Sequence, residues 1–170
     1  MKAIILNISA WIMLPFMDAI AKYLSSSLPF FQITWARYFF TVFLVLPVMF
    51  IFFKDQIKWT ENPKLQFYRG LTLFFANICF FYSISIISMA KALTLAFVAP
   101  LITTTLSPFF LGEKVGIRRW TAVIVGFLGI LVVIRPGFIE FNLASFAAVG
   151  TGCFYGVYLI ITRKLHSTDS

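Results

Sequence analysis

The chain is short of the residues on which most soluble chemistry depends. Charged residues make up 12% of its 170 positions, against roughly 25% in ordinary soluble domains. Six residues are acidic, two are cysteine and one is histidine. Cys79 and Cys153 both fall inside apolar runs, which supports neither a disulfide framework nor a metal site. They read as small buried hydrophobes. The histidine, His166, follows the last apolar run as a solvated tail residue, and Asp18 is the one acid inside such a run. A single acid supplies neither the paired carboxylates of acid–base catalysis nor a metal-ligand set. No glycine-rich phosphate loop occurs between a strand and a helix, which weighs against an ATP-driven pump. The expectation is therefore a protein that is not an enzyme and needs no metal or cofactor.

What is abundant is apolar surface. Hydrophobic residues reach 61%, aromatics 19% with 22 Phe, and the mean hydropathy is +0.94. A water-soluble fold of that composition would expose large apolar patches, and disorder is excluded for the same reason. The class is an all-α, polytopic transmembrane helical bundle whose first partner is the lipid bilayer. At about 20 residues per span, the length holds about six helices. Apolar stretches at residues 3–24, 29–53, 65–87, 89–111, 120–134 and 143–161 match that number. Lys2 ahead of the first run resembles the start of a signal peptide. Asp18 and Lys22 occupy the region where cleavage would fall, and no A-x-A-like site comes after them, so a retained helix is expected.

A net charge of +8 would ordinarily raise nucleic-acid binding. Here the positions of the basic residues explain it. With Met1 on the inside, the ends and loops on that side carry Lys2, Lys54, Lys58, Lys64, Lys114, Arg118, Arg119, Arg163 and Lys164. The other side has Arg135 in a loop, with Lys22 and Lys91 near helix ends. The bias predicts cytoplasmic termini and no nucleic-acid partner.

Arg37 is the exception, placed within the second run, where a charge is costly and points to function or to a paired structural role. Asp18 and Arg37 flank the Ser26–Ser27 turn at similar separations. In an antiparallel hairpin both reach roughly 12 Å from the mouth at 1.5 Å per residue. Asp18 also precedes Lys22 by four residues, the favourable acid-then-base spacing. Two readings stand: a structural ion pair among Asp18, Lys22 and Arg37, or charges lining a polar pathway. Asn7, Trp11, Pro15, Asp18 and Lys22 share an arc of about 80° on the first helix, a stripe suited to protein or water. Asn77 and Tyr82 add polar atoms to the third run, although they share no stripe.

Pro100 predicts a kink in the fourth helix that frees the carbonyl of Ala96, with Thr103, Thr104 and Thr105 compensating. Ala92, Ala96, Ala99, Thr103 and Ser107 form a small-residue face, while Lys91, Thr94, Val98 and Thr105 lie opposite. In the sixth run Ala144, Ala148, Gly152 and Gly156 recur every four residues, a ladder for close helix packing. Gly126 and Gly129 suggest the same for the fifth.

The stretch at residues 99–137, APLITTTLSPFFLGEKVGIRRWTAVIVGFLGILVVIRPG, resembles the EamA family of the drug/metabolite transporter superfamily. MDAIAKYL and FFQITWARYFF resemble that family's first two helices, so the likeness covers about residues 1–137. It implies a ten-helix carrier made of two five-helix repeats of inverted topology, with the substrate path between them. Some similar carriers take up S-adenosylmethionine or riboflavin, and others export amino acids or related metabolites. An odd-numbered repeat places the next copy upside down. On this reading, residues 1–137 form the first repeat, and residues 138–170 hold the first helix of a second with a cytoplasmic tail. The sequence is then half of a carrier, to be completed by a missing second repeat or by another membrane chain.

The resulting expectation is a secondary carrier of a small polar metabolite, an amino-acid-like compound among the options, in a bacterial inner membrane. It would work by alternating access, with Trp11, Asp18, Arg37, Asn77, Tyr82 and Thr94 as pathway candidates. The alternative is a non-transporting membrane subunit that packs through its small-residue helix faces.

Overall fold

In so apolar a chain, helix ends are set by the few residues able to stop or start a helix. The structure, a computed structural model, describes residues 2–52, 61–112, 115–134 and 142–168. Its helices are α1 (Lys2–Leu24), α2 (Phe30–Phe52), α3 (Pro63–Ile86), α4 (Met89–Ala96), α5 (Val98–Leu111), α6 (Ile117–Ile134) and α7 (Leu143–Thr168). Helices α4 and α5 are halves of one stretch, so the described residues form six helical stretches and no strand. Phe30–Phe52, Pro63–Ile86, Met89–Leu111 and Leu143–His166 are long and apolar enough to cross a membrane. Lys54, Lys58, Lys114, Arg135 and the expected boundary at 137/138 lie outside the described residues.

Local chemistry accounts for the ends. After α1, the hydroxyls of Ser25 and Ser26 donate back to the carbonyls of Lys22 and Tyr23 at 2.7 Å, closing the last turn. Pro63 opens α3, where its missing N–H costs nothing. Ser88 caps α4 by accepting from the Lys91 N–H. Gly112, at φ 66°, ends α5 in the left-handed conformation that glycine adopts without strain. Asn142 caps α7, its Oδ1 accepting from the Ser145 N–H at 3.0 Å and the Ser145 hydroxyl at 3.1 Å. Helix α7 continues to Thr168 instead of ending near residue 161. Leaving the apolar layer at Arg163 does not interrupt backbone hydrogen bonding.

The kink is present, and its position is informative. The helix breaks at Phe97, between α4 and α5, one turn before Pro100, whose ring cannot fit beside an i−4 carbonyl. Compensation differs from expectation: Thr103 Oγ1 donates to Ala99 O at 2.9 Å and across to Gly156 O at 3.3 Å, not to Ala96. The freed Ala96 carbonyl faces Gly152 instead. A Cβ built on Gly152 would lie 2.7 Å from that oxygen and 2.5 Å from Val98 Cγ1. One on Gly156 would lie 2.9 Å from Ile102 Cβ and 3.0 Å from Ala99 O. The α7 ladder therefore seats on the kink, with Ala92, Ala99, Thr103 and Ser107 buried. Val98, expected on the opposite face, also lies against Gly152, as the first residue of α5 after the break.

The α6 glycines behave differently. A Cβ at Gly126 would make an ordinary 3.5 Å contact with Leu101, and at Gly129 it would meet nothing within 4 Å. Among the described residues, no close approach requires glycine at either position.

Helix α7 is the hub of the bundle, packing most extensively on α3 and then on α5. The core joins Phe80, Phe81 and Ile84 of α3 to Leu95 of α4 and to Ala144 and Ala148 of α7. Helix α2 fully buries only Ile33 and Thr34, packs Phe30 partly against the core, and presents most of its remaining apolar surface outward. An outward apolar surface suits a bilayer, and hydroxyls such as those of Thr34 and Thr41 donate to carbonyls four residues back, as a medium without water requires.

Candidate functional site

The site begins with one cation. Arg37 lies two turns into α2 and is half-buried against α3. Its Nη1 donates to Asn77 Oδ1 at 2.8 Å, and its guanidinium carbon lies 5.3 Å from the Phe81 ring centroid. Asn77 is held in turn by donating from Nδ2 to Leu73 O at 2.8 Å. Asn77 and Phe81 are four residues apart on α3 and so share a face. The next residue on α2, Tyr38, packs its ring 6.0 Å from Phe74. Its hydroxyl is buried beside Asn77 but completes no hydrogen bond with the described residues.

Asp18 is half-buried on α1 and acts on Arg37 electrostatically. Among the described residues, no ion pair joins it to Arg37 or to Lys22. The expected triad is not what the structure forms. Depth counting presumed that α1 and α2 lie flat against each other, whereas the main contacts of α1 and of α2 are both with α3. Lys22 turns the other way, its Nζ donating to the carbonyls of Ile84 and Ile87 where α3 ends. A cation there satisfies carbonyls the helix leaves open and complements its dipole.

The remaining candidates are scattered. Tyr82 packs edge to face on Phe30 with centroids 5.3 Å apart. Thr94 donates to Ala90 O at 2.8 Å within α4. Trp11 belongs to α1, but its side chain lies outside the described part. The structure thus gathers Asp18, Arg37 and Asn77 and adds Tyr38 and Phe81, which sequence reasoning missed. Phe81 was findable from its spacing to Asn77. Tyr38 was not, since one more aromatic beside Tyr-Phe-Phe carries no signal. No group of three or more His, Cys, Asp or Glu able to hold a metal occurs among the described residues.

An arginine steadied by an amide, with an acid nearby and unbonded, can hold a small ligand bearing opposite charges. Together with the apolar exterior, this defines a polytopic helical membrane protein with a polar cluster inside its spans. The model of the EamA-like transporter family matches residues 1–135, and the chain belongs to that family. It is similar to the S-adenosylmethionine uptake transporter of Rickettsia bellii, at 32% identity over 153 residues, covering 90% of this chain and 52% of that protein. It also resembles the riboflavin transporter of Vibrio cholerae, at 39% over 80 residues, 47% of this chain and 27% of that protein. The pseudopaline exporter CntI of Pseudomonas aeruginosa is 27% identical over 134 residues, 79% of this chain and 46% of the exporter. The chain spans about half the length of the S-adenosylmethionine transporters it matches. No solved structure matches it.

Proposed function

We propose that this chain forms one half of the translocation unit of a secondary carrier for a small polar metabolite. Residues 1–137 supply the first repeat, and residues 138–170 begin a second of opposite orientation. The observation that carries the reading is the Arg37–Asn77 pair: a cation within a spanning helix, bonded to a neutral amide and not to an acid. Such a group keeps electrostatic capacity for a carboxylate or similar anion, while Asp18 keeps it for a cation. S-adenosylmethionine and amino-acid-like compounds carry both charges, and the relatives include S-adenosylmethionine uptake proteins. Riboflavin is the uncharged competitor. The polar cluster, rather than Tyr82 or Thr94, is the ligand-holding region in this reading. The basic ends point to cytoplasmic termini in a bacterial inner membrane.

The reading as a non-transporting subunit is less well supported, because the Gly152–Gly156 face is occupied by the chain's own kinked helix. The test is uptake of radiolabelled S-adenosylmethionine and riboflavin into cells expressing the protein in its full assembly. Asp18→Asn and Arg37→Leu are each expected to reduce uptake of the zwitterion at least tenfold with membrane insertion unchanged. Wild-type uptake in both variants would remove the polar cluster from the pathway.

A further inference from the structure

A second region, at the opposite end of α3 from the Lys22 contact, has a different chemistry. There α3, α5 and α7 enclose a groove of about 310 Å³, lined by Leu65 and Tyr68, by Leu106, and by Val157 and Ile161. Its one aliphatic hydroxyl, that of Thr72, donates to the carbonyls of Tyr68 and Arg69 at 3.0 Å. The wall thus offers almost nothing to a polar metabolite.

The groove's end is basic on two helices. On α7, Val157, Ile161 and Lys164 succeed each other at spacings of four and three, so the apolar stripe ends in a lysine, which itself lines the groove. On α3, Lys64 and Tyr68 are four residues apart and line a second, more open depression, Tyr68 being common to both. Helix α3 starts where α7 finishes, so both lysines lie at the same end. Arg69 is close by, bonded to Gln66 Oε1 at 3.2 Å and stacked 5.7 Å from the Tyr158 ring. Among the described residues Glu61 is the acid near this end of α3.

We propose that this groove is a binding site for one anionic phospholipid of the bilayer, with an acyl chain along the apolar wall and the phosphate at Lys164 and Lys64. The argument is complementarity in order: a stripe that is apolar and then cationic, on two helices, matches an amphiphile that is apolar and then anionic. Lysines at such a boundary keep their stems on apolar surface and their ammonium groups at the headgroup level. Basic pockets between spanning helices recognise anionic headgroups in the same way. The site is separate from the Arg37 cluster and does not rest on the substrate assigned to it.

The test uses the protein in its native assembly, purified in mild non-ionic detergent, with native mass spectrometry after addition of phosphatidylglycerol or phosphatidylcholine. Wild type is expected to retain one phosphatidylglycerol in preference to phosphatidylcholine. Lys164→Glu and Lys64→Glu should each lower that preference roughly fivefold, and Lys164→Arg should restore it. Leu106→Trp, which fills the groove, should abolish retention of both lipids while circular dichroism shows helicity unchanged. Equal retention of the two lipids by wild type would overturn the proposal, and this needs no variant to fold. So would undiminished retention in Leu106→Trp, displacement of the lipid by inorganic phosphate or S-adenosylmethionine, or a crosslink placing another protein segment in the groove.

Discussion

At Arg37 the cost of a charge inside the membrane is met by one amide and one ring. Removing a single partner leaves the other group unsatisfied, which costs about 1–3 kcal/mol, whereas replacing both by apolar residues is close to neutral. Asn77→Leu is therefore expected to destabilise the protein by about that amount, since the guanidinium loses its side-chain partner among the described residues. The double substitution Arg37→Leu with Asn77→Leu is expected to recover most of the loss. Thermal unfolding in detergent measures the order, and a double variant less stable than Asn77→Leu would contradict it. The same logic explains Lys22. Its two carbonyl partners, Ile84 and Ile87, are those that the end of α3 leaves open, so one lysine satisfies itself and a helix terminus together.

At the scale of elements, the joint between α7 and the α4–α5 break holds the closest glycine approaches among the described residues. Proline opens the backbone at Ala96, and glycine at 152 lets a neighbouring helix close on the opening. Gly152→Ala is expected to cost about 1–3 kcal/mol, because its methyl must displace Val98 or the Ala96 carbonyl. Gly129→Ala meets nothing and is expected to stabilise by up to about 1 kcal/mol through helix propensity. Unfolding midpoints of the two variants measured side by side check the contrast, and equal shifts would refute it. The ladder and the kink were each legible as sequence patterns. That they are two sides of one contact was not, because no local pattern states which helix a small-residue face will meet.

For the molecule as a whole, the distribution of charge and apolar surface governs placement. An outward face as apolar as that of α2, with basic residues collected at one end of the bundle, has a low-energy position only across a bilayer. Single cysteines substituted at Lys2 and at His166, in a background lacking Cys79 and Cys153, should both react with a membrane-impermeant maleimide only after the cytoplasmic side is exposed. Labelling of either from the outer side of intact cells would reverse the proposed orientation. Helix α7 belongs to this scale too. It is expected to begin a second repeat, yet it packs into the core of the helices before it. On the proposed division into repeats, α7 would then belong by topology to the second repeat and by packing to the first.

Composition, the lengths of the apolar runs and the positions of the basic residues were enough to predict a helical chain in the bilayer with its basic residues mostly on one side, because these properties arise from transfer free energies and from the length of a span. The proline, serine, glycine and asparagine that the structure places at helix ends act just as locally, their effects reaching only a turn or so. The partners of Arg37, Lys22 and Gly152 were decided by tertiary structure alone. Each bonds or packs across helices far apart in sequence, and which helix lies beside which depends on fitting every side chain in the bundle at once. Counting residues from a turn placed Asp18 and Arg37 at one depth. Only the packing of α1 and α2 on α3 left that acid unbonded and handed the arginine to Asn77.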